Sequence, residues 1–358
     1  MKFYMPTRLY SENNCIEKHS AELASLGTHA LIITGRSSSK RNGSLNDVIS
    51  ALEKHSVKYT IFDRTEENPS VETVMAAHDT GLGCGADFVI GLGGGSPLDA
   101  AKAAALMMKN KEKPWEFMYE TSPADALPLA AIPTTCGTGS EVTGVAVLTR
   151  HDMKTKVSAK HKIFPDIALI DGKYLLDAPR KIIVNTAIDA LAHLIESAIN
   201  TSADTYSDMI VFAGLTDWGK CRAYIDGSAE LTAEAAQLLM NTSSLAGMSI
   251  AQTGTTIPHS LSYMLTYSAG IPHGAAVGAF QSKYLKYADT DRKSAVLSAV
   301  GFKDTDELGS FISSLAPVTA DRKLLESSAE SVLRNQAKLD LCPYRITESI
   351  MSDIIDII

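Results

Sequence analysis

Along its first half the chain alternates short, nearly unbroken apolar runs with longer stretches whose apolar residues recur at helical spacing. Residues 30–34 (ALIIT), 58–63 (KYTIFD), 87–92 (DFVIGL), 129–133 (LAAIP) and 166–171 (DIALID) read as strands. Consecutive apolar positions suit strands covered on both faces, as in parallel sheets, whereas half-exposed strands alternate. Helical segments between them give right-handed βαβ units. After Asp171 the pattern changes. Residues 182–199, 208–225 and 232–246 carry helical periodicity, and no convincing strand follows. The expected fold is an α/β N-terminal domain with a parallel sheet, residues 1–178, and an all-α C-terminal domain, residues 179–358, joined near 176–179.

Composition excludes several classes. The 358 residues are 45% apolar and 21% charged, ordinary globular values that rule out disordered and fibrous chains. Lys and Arg number 33 against 41 acids, a net charge of −8 that leaves no basic excess for a phosphate backbone. No apolar run approaches the ~20 residues that span a bilayer, and the opening MKFYMPTRLYSENN lacks a signal peptide's apolar core. Five scattered cysteines without a CxxC pair fit a reducing compartment rather than a disulfide framework or a zinc finger. The expectation is a cytoplasmic enzyme with neither nucleic-acid nor membrane partners.

Two glycine-rich loops carry candidate chemistry. GLGGGSPLDAAK (residues 91–102) follows the strand DFVIGL and opens a helix. Glycines let backbone N–H groups approach a ligand, and a helix N-terminus adds about half a positive charge, which together suit a diphosphate. The strict G-x-G-x-x-G fingerprint is absent, so a plain dinucleotide-fold assignment fails. PTTCGTGSE (residues 133–141) follows the next apolar strand, offers uncharged hydroxyl and amide donors, and is expected to run into a helix. Glu141 then reads either as a carboxylate in a helix first turn or as a site residue, and Cys136 as packing. Two such loops after neighbouring strands face each other where α/β folds bind ligands.

The helical half carries a second constellation. Asp189 and His193 lie at i and i+4, on one helix face at ligand separation. His259 and His273 each follow a proline, fourteen positions apart. One carboxylate and three imidazoles suit Fe(II), Zn(II), Mn(II) or Co(II). Each histidine taken singly reads as an ordinary hydrogen-bonded residue. The other six histidines show no such pairing.

GLGGGSPLDAAK, IPTTCGTGSEVT, FPDIALID, Asp-x-x-x-His, PHSLSY and GIPHG, in this order, resemble the iron-dependent (group III) alcohol dehydrogenases. The resemblance runs from MPTRLY to about residue 280. It implies a dehydroquinate-synthase-like fold: a Rossmann-like parallel sheet followed by a helical domain. It implies a metal-dependent, NAD(P)-linked alcohol dehydrogenase or aldehyde reductase (EC 1.1.1.-) acting as a homodimer on a small primary alcohol or aldehyde. Asp189, His193, His259 and His273 would bind iron(II), with zinc(II) or another divalent ion as alternatives. Gly93, Gly94, Gly95 and Ser96 would hold the cofactor diphosphate, with Asp99 in the helix they open. Thr134, Thr135, Thr138 and Thr143 would contact the diphosphate and nicotinamide side, Lys156 the ribose, and Leu176 the adenine. Many members carry a histidine four residues after the third ligand; here it is Tyr263, which takes its place as the candidate proton relay.

Two relatives of the fold compete with this reading. Glycerol-type polyol dehydrogenases usually lack the histidine at i+4, so His193 argues against one. A dehydroquinate-synthase-like lyase calls for a basic phosphate pocket, and no Lys/Arg cluster lies near His259 or His273. For cofactor choice, members of the family can place an Asp after the Thr of the first of these strands; here the strand is followed by GRSSSKRNG, without an acid. Gly35, Ser37, Ser38 and Lys40, with Arg36 and Arg41 nearby, read as a 2′-phosphate site, giving NADP preference over NAD.

Overall fold

The computed structural model describes residues 3–357. Six strands form one parallel sheet: β1 (Arg8–Ser11), β2 (His29–Gly35), β3 (Lys58–Thr65), β4 (Phe88–Gly93), β5 (Leu129–Pro133) and β8 (Ile167–Ile170), in the order β1-β8-β5-β4-β2-β3. The five strands read from the sequence are β2, β3, β4, β5 and β8. β4, β5 and β8 are buried along their whole length, which is why their sequences are unbroken apolar runs.

Three strands escaped the sequence pattern. β1 is a four-residue edge strand with polar ends. β6 (Val147–Arg150) and β7 (Thr155–Ser158) form a short antiparallel hairpin outside the main sheet. The second glycine-rich loop does not open a long helix as expected. Gly139 takes a positive φ of 57°, a single 3₁₀ turn follows at Ser140–Val142, and Thr143 returns to extended backbone.

The helix Gly95–Lys109 lies close on the sheet because Gly91 of β4 has no side chain; a Cβ there would come within 2.9 Å of Ala101 Cβ. This helix is buried on nearly every face, hence its alanine-rich sequence. β2, β4, β5 and β8 are neighbours, so the loops that leave their carboxyl ends cluster along one edge of the sheet.

Among the described residues no strand follows β8. The helix Arg180–Ala198 is buried from Ala187 onward. Glycines set the close packing around it: a Cβ on Gly278 would meet Ile188 Cγ2 at 2.4 Å, and one on Gly214 would meet Leu194 Cδ2 at 2.6 Å. The expected helix over 208–225 is two helices, Thr205–Lys220 and Arg222–Asp226, broken at Cys221. The division into compact units is not a single cut at residue 178. Residues 232–244, which include the first half of the helix Ala233–Thr253, belong with residues 5–178, whereas Phe3 and Tyr4 belong with the helical unit.

Candidate active site

Within the helical unit, three imidazoles converge on one carboxylate oxygen. Asp189 Oδ1 lies 3.9 Å from His193 Nε2, 3.5 Å from His259 Nε2 and 3.7 Å from His273 Nε2. Ligand atoms of Asp189, His193 and His259 all lie within 4.8 Å of one another. The first two residues share a face of the helix Arg180–Ala198, and His259 sits in the first turn of the helix Ile257–Ala269. His273 opens the helix His273–Gly278, and Gly274 explains how it gets there. A Cβ on Gly274 would stand 1.7 Å from the Asn185 carbonyl oxygen. The same segment is pinned by Ala275 N–H donating to Asn185 Oδ1 at 3.1 Å.

Two of the imidazoles are held with their Nε2 atoms inward. His259 Nδ1 donates to Glu196 Oε1 at 2.5 Å, and His273 Nδ1 lies 3.3 Å from Ser262 Oγ, whose hydroxyl donates to the His259 carbonyl. Glu196 also accepts from Gln281 Nε2, Thr256 N–H and the Thr256 hydroxyl. Glu196 was legible only as the next residue of the same face, three after His193, and sequence reasoning gave it no role. A histidine ligand that donates its other nitrogen to a carboxylate is the usual outer-shell arrangement of metal sites.

Electrostatics make the same point. Burial raises the Asp189 pKa, but His193, His273 and His259 outweigh it and hold the carboxyl far below its usual range. Burial depresses His259, yet Glu196 and Asp189 push it up to about 9. Asp189 Oδ1 and His259 Nε2 are buried without hydrogen-bond partners, a costly arrangement for polar atoms. A divalent cation satisfies them together. Metal bonds of about 2.0–2.2 Å put neighbouring donors about 3–3.5 Å apart, near the separations seen here. The donor set therefore fits a divalent metal.

A second locus lies in the α/β unit, at the carboxyl ends of β4 and β5. Gly93 takes a φ of 140°, Gly94 is the N-cap of the helix Gly95–Lys109, and no side chain caps that helix. Its first N–H groups are thus open to an anion. The two glycine-rich loops do face each other. A Cβ on Gly94 would meet Thr135 Oγ1 at 3.3 Å, one on Gly95 would meet Thr138 Cγ2 at 2.6 Å, and Thr134 N–H donates to Gly93 O at 2.9 Å. Lys156 Nζ donates to Asn68 Oδ1 at 3.0 Å, while Asn68 N–H donates to Ser96 Oγ at 3.0 Å. Asn68, in left-handed backbone at φ 56°, therefore ties the candidate ribose lysine to the candidate diphosphate loop. Sequence reasoning missed it.

Sequence profiles described as iron-containing alcohol dehydrogenase and as Fe-containing alcohol dehydrogenase family, C-terminal, match residues 6–172 and 183–314. An iron-containing alcohol dehydrogenase from Thermotoga maritima has 34% identity and a TM-score of 0.90, over 99% of this chain and 98% of that one. The chain belongs to the iron-containing alcohol dehydrogenase family. An NADPH-dependent butanol dehydrogenase of Clostridium saccharobutylicum is 29% identical over 80% of this chain and 74% of its own length. An NADH-dependent butanol dehydrogenase B of Clostridium acetobutylicum is 30% identical over 57% of this chain and 53% of its own length. This chain thus spans between about half and three quarters of these two relatives.

Other expected residues of this iron-containing alcohol dehydrogenase chain take distinct places. Asp99 spends its oxygens inside the protein, on the Ser140 hydroxyl at 2.6 Å and the Val147 N–H at 2.9 Å, and so braces the second loop. Glu141 sits in the first turn not of a long helix but of the short 3₁₀ helix. It is buried in the 3₁₀ turn, accepts from Ser244 Oγ at 2.7 Å, and has its pKa raised by desolvation. Leu176 ends the short helix Lys173–Leu176 with an exposed side chain, an apolar face open to a flat ring. Tyr263 stacks near His273, ring centroids 6.1 Å apart. Gly35 ends β2, Ser37 is the N-cap of the short helix Ser38–Arg41, and Ser38 and Lys40 are exposed on that helix while Ser39 turns inward to bond Thr34. The sequence shows no acid within this loop, but β3 brings one to it: Asp63 takes Lys40 in a 2.6 Å ion pair. No helix among the described residues is long and apolar enough to cross a membrane.

The Glu196→Gln substitution keeps the volume and removes the charge behind His259. It is expected to weaken divalent-metal affinity about 10- to 100-fold, the usual cost of losing an outer-shell partner. Competition against a chromophoric chelator measures this, and unchanged affinity would remove Glu196 from the site.

Proposed function

We propose that this chain is a metal-dependent, NAD(P)-linked alcohol dehydrogenase and aldehyde reductase for small primary alcohols and aldehydes, using iron(II) and favouring NADPH. The single observation that carries the reading is the approach of three imidazole Nε2 atoms to Asp189 Oδ1 within 3.9 Å. A divalent ion held by those four residues supplies a Lewis acid to the substrate oxygen, and a nicotinamide supplies the hydride acceptor or donor. Asp189 and the three histidines bind and orient; Glu196 and Ser262 keep the Nε2 atoms of His259 and His273 turned inward. Tyr263, whose ring stacks near His273, carries the hydroxyl assigned to relaying the alcohol proton. The presence of His193 in the cluster supports this reading over a glycerol-type polyol dehydrogenase.

Cofactor choice rests on the loop after β2. Gly35 offers no carboxylate to accept from a ribose 2′-hydroxyl, and Arg36, Ser37 and Ser38 are exposed beside it. Lys40, held by Asp63, contributes less free charge than the sequence implied. Guanidinium and hydroxyl donors suit a 2′-phosphate.

Replacing His273 by Ala removes one donor and leaves the glycine-rich loops untouched. Turnover is expected to fall by more than about 100-fold, beyond the outer-shell range, while NADPH binding persists; wild-type turnover with full metal content would refute the assignment. The Gly35→Asp change has room, since a Cβ there meets nothing closer than Thr65 O at 3.7 Å. It is expected to shift the kcat/KM ratio towards NADH by roughly 10- to 100-fold, the worth of one charged hydrogen bond. A wild-type preference for NADH would contradict the cofactor reading.

A further inference from the structure

Lys102 is fully buried and lies two turns into the helix opened by the first glycine-rich loop. Buried lysines are rare unless their donors and charge are matched. Here all three ammonium hydrogens are used, and all go to the second loop. Nζ donates to Ser140 Oγ at 2.7 Å, to Val145 O at 2.8 Å and to Thr143 Oγ1 at 3.1 Å. Ser140 relays the contact, its hydroxyl donating to Asp99 Oδ1 at 2.6 Å, and Asp99 Oδ1 itself lies 3.6 Å from Nζ. Asp99 Oδ2 accepts from Val147 N–H. One turn of helix, Asp99 to Lys102, thus grips the second loop and the segment that leads from it into β6 at four points, residues 140, 143, 145 and 147.

Other contacts hold the segment from outside, Ser244 Oγ on Glu141 and the Ile163 and Ala159 N–H groups on the carbonyls of Gly144 and Ala146, but Asp99 and Lys102 tie it to the helix of the first loop. The second loop lacks the long helix its sequence suggests, passes through Gly139 in left-handed backbone, and contains a single 3₁₀ turn. Yet it must hold Thr138 against Gly95 and present Thr143. We propose that Lys102 is a positioning residue for the dinucleotide: a buried ammonium clamp that sets the second loop against the first and so fixes the cradle for the cofactor. This rests on the dinucleotide reading of the two loops.

The charged groups facing Lys102 are Asp99 on its own helix, Glu141 on the 3₁₀ turn and Lys162 on the segment before β8. Desolvation and Lys162 lower its pKa, Asp99 and Glu141 raise it, and it falls from 10.5 to about 8. Above pH 8 the clamp loses a donor and its charge. Folding stability moves the opposite way: between about 8 and 10.5 the unfolded chain binds more protons than the folded one, so this group makes stability rise with pH. Positioning and mere structural support therefore predict opposite trends.

The test compares wild type, Lys102→Met and Ser140→Ala as metal-loaded enzymes, with NADPH and NADH Kd by fluorescence titration, KM for cofactor and aldehyde, metal content and Tm. Lys102→Met should raise cofactor Kd and KM about tenfold or more, and Ser140→Ala about threefold, with aldehyde KM and metal content unchanged. Cofactor Kd of the wild type should rise as pH passes 8, and in Lys102→Met it should be flat. If Lys102→Met does not fold, Ser140→Ala decides. A folded Ser140→Ala or Lys102→Met enzyme with wild-type cofactor Kd overturns the proposal, as does a loss confined to kcat or metal. A wild type that binds neither nucleotide refutes the dinucleotide reading instead.

Discussion

Everything in the helical unit that bears on chemistry depends on how Asp189 is neutralised. Its Oδ1 is buried, makes no hydrogen bond, and has three imidazole nitrogens within 3.9 Å. A lone carboxylate in such a place costs several kcal/mol unless a positive charge joins it. Without metal, the charge available is a proton on His259, whose pKa rises to about 9 between two carboxylates. A divalent cation would replace that proton and use all four donors at once. The close helix packing, with glycines at 214, 274 and 278 against backbone and branched side chains, serves to bring those donors together.

The α/β unit solves a different problem, that of presenting neutral and weakly positive groups to an anion without filling the space. Glycines at 93, 94 and 95 keep side chains out of the cradle, and an uncapped helix supplies N–H groups. Flexible loops of this kind lose entropy when they order around a ligand. The buried contacts of Asp99, Lys102 and Ser140 hold the second loop in place beforehand. Both loci thus contain buried charge, at one in a donor set that fits a divalent metal and at the other in contacts that fix loop geometry.

The sequence made legible whatever is local and periodic. Of the five strands read, β2, β4, β5 and β8 stood out because both of their faces are covered, and Asp189 and His193 because i and i+4 meet on a helix. His259 and His273 were legible through their Pro-His context and a family resemblance, since nothing in their spacing brings them to Asp189. Glu196 lay in plain view on the same face, but a buried carboxylate reads as a role only once its partner His259 is seen. Asp63 beside Lys40 and Ser244 beside Glu141 come from distant segments, and no local pattern encodes them. β1, β6 and β7 are four residues each, too short to show a period.

The central claim is that Asp189 and three histidines form one metal centre of nitrogen and oxygen donors. Titration of the metal-free protein with cobalt(II), followed by visible absorption, tests it most directly, because ligand type and geometry set the cobalt spectrum. The account predicts saturation at about one cobalt per chain, with the intense ligand-field bands of a low-coordinate nitrogen–oxygen site and no thiolate charge-transfer band. A spectrum that stays that of aqueous cobalt, or one that shows thiolate ligation, would contradict it.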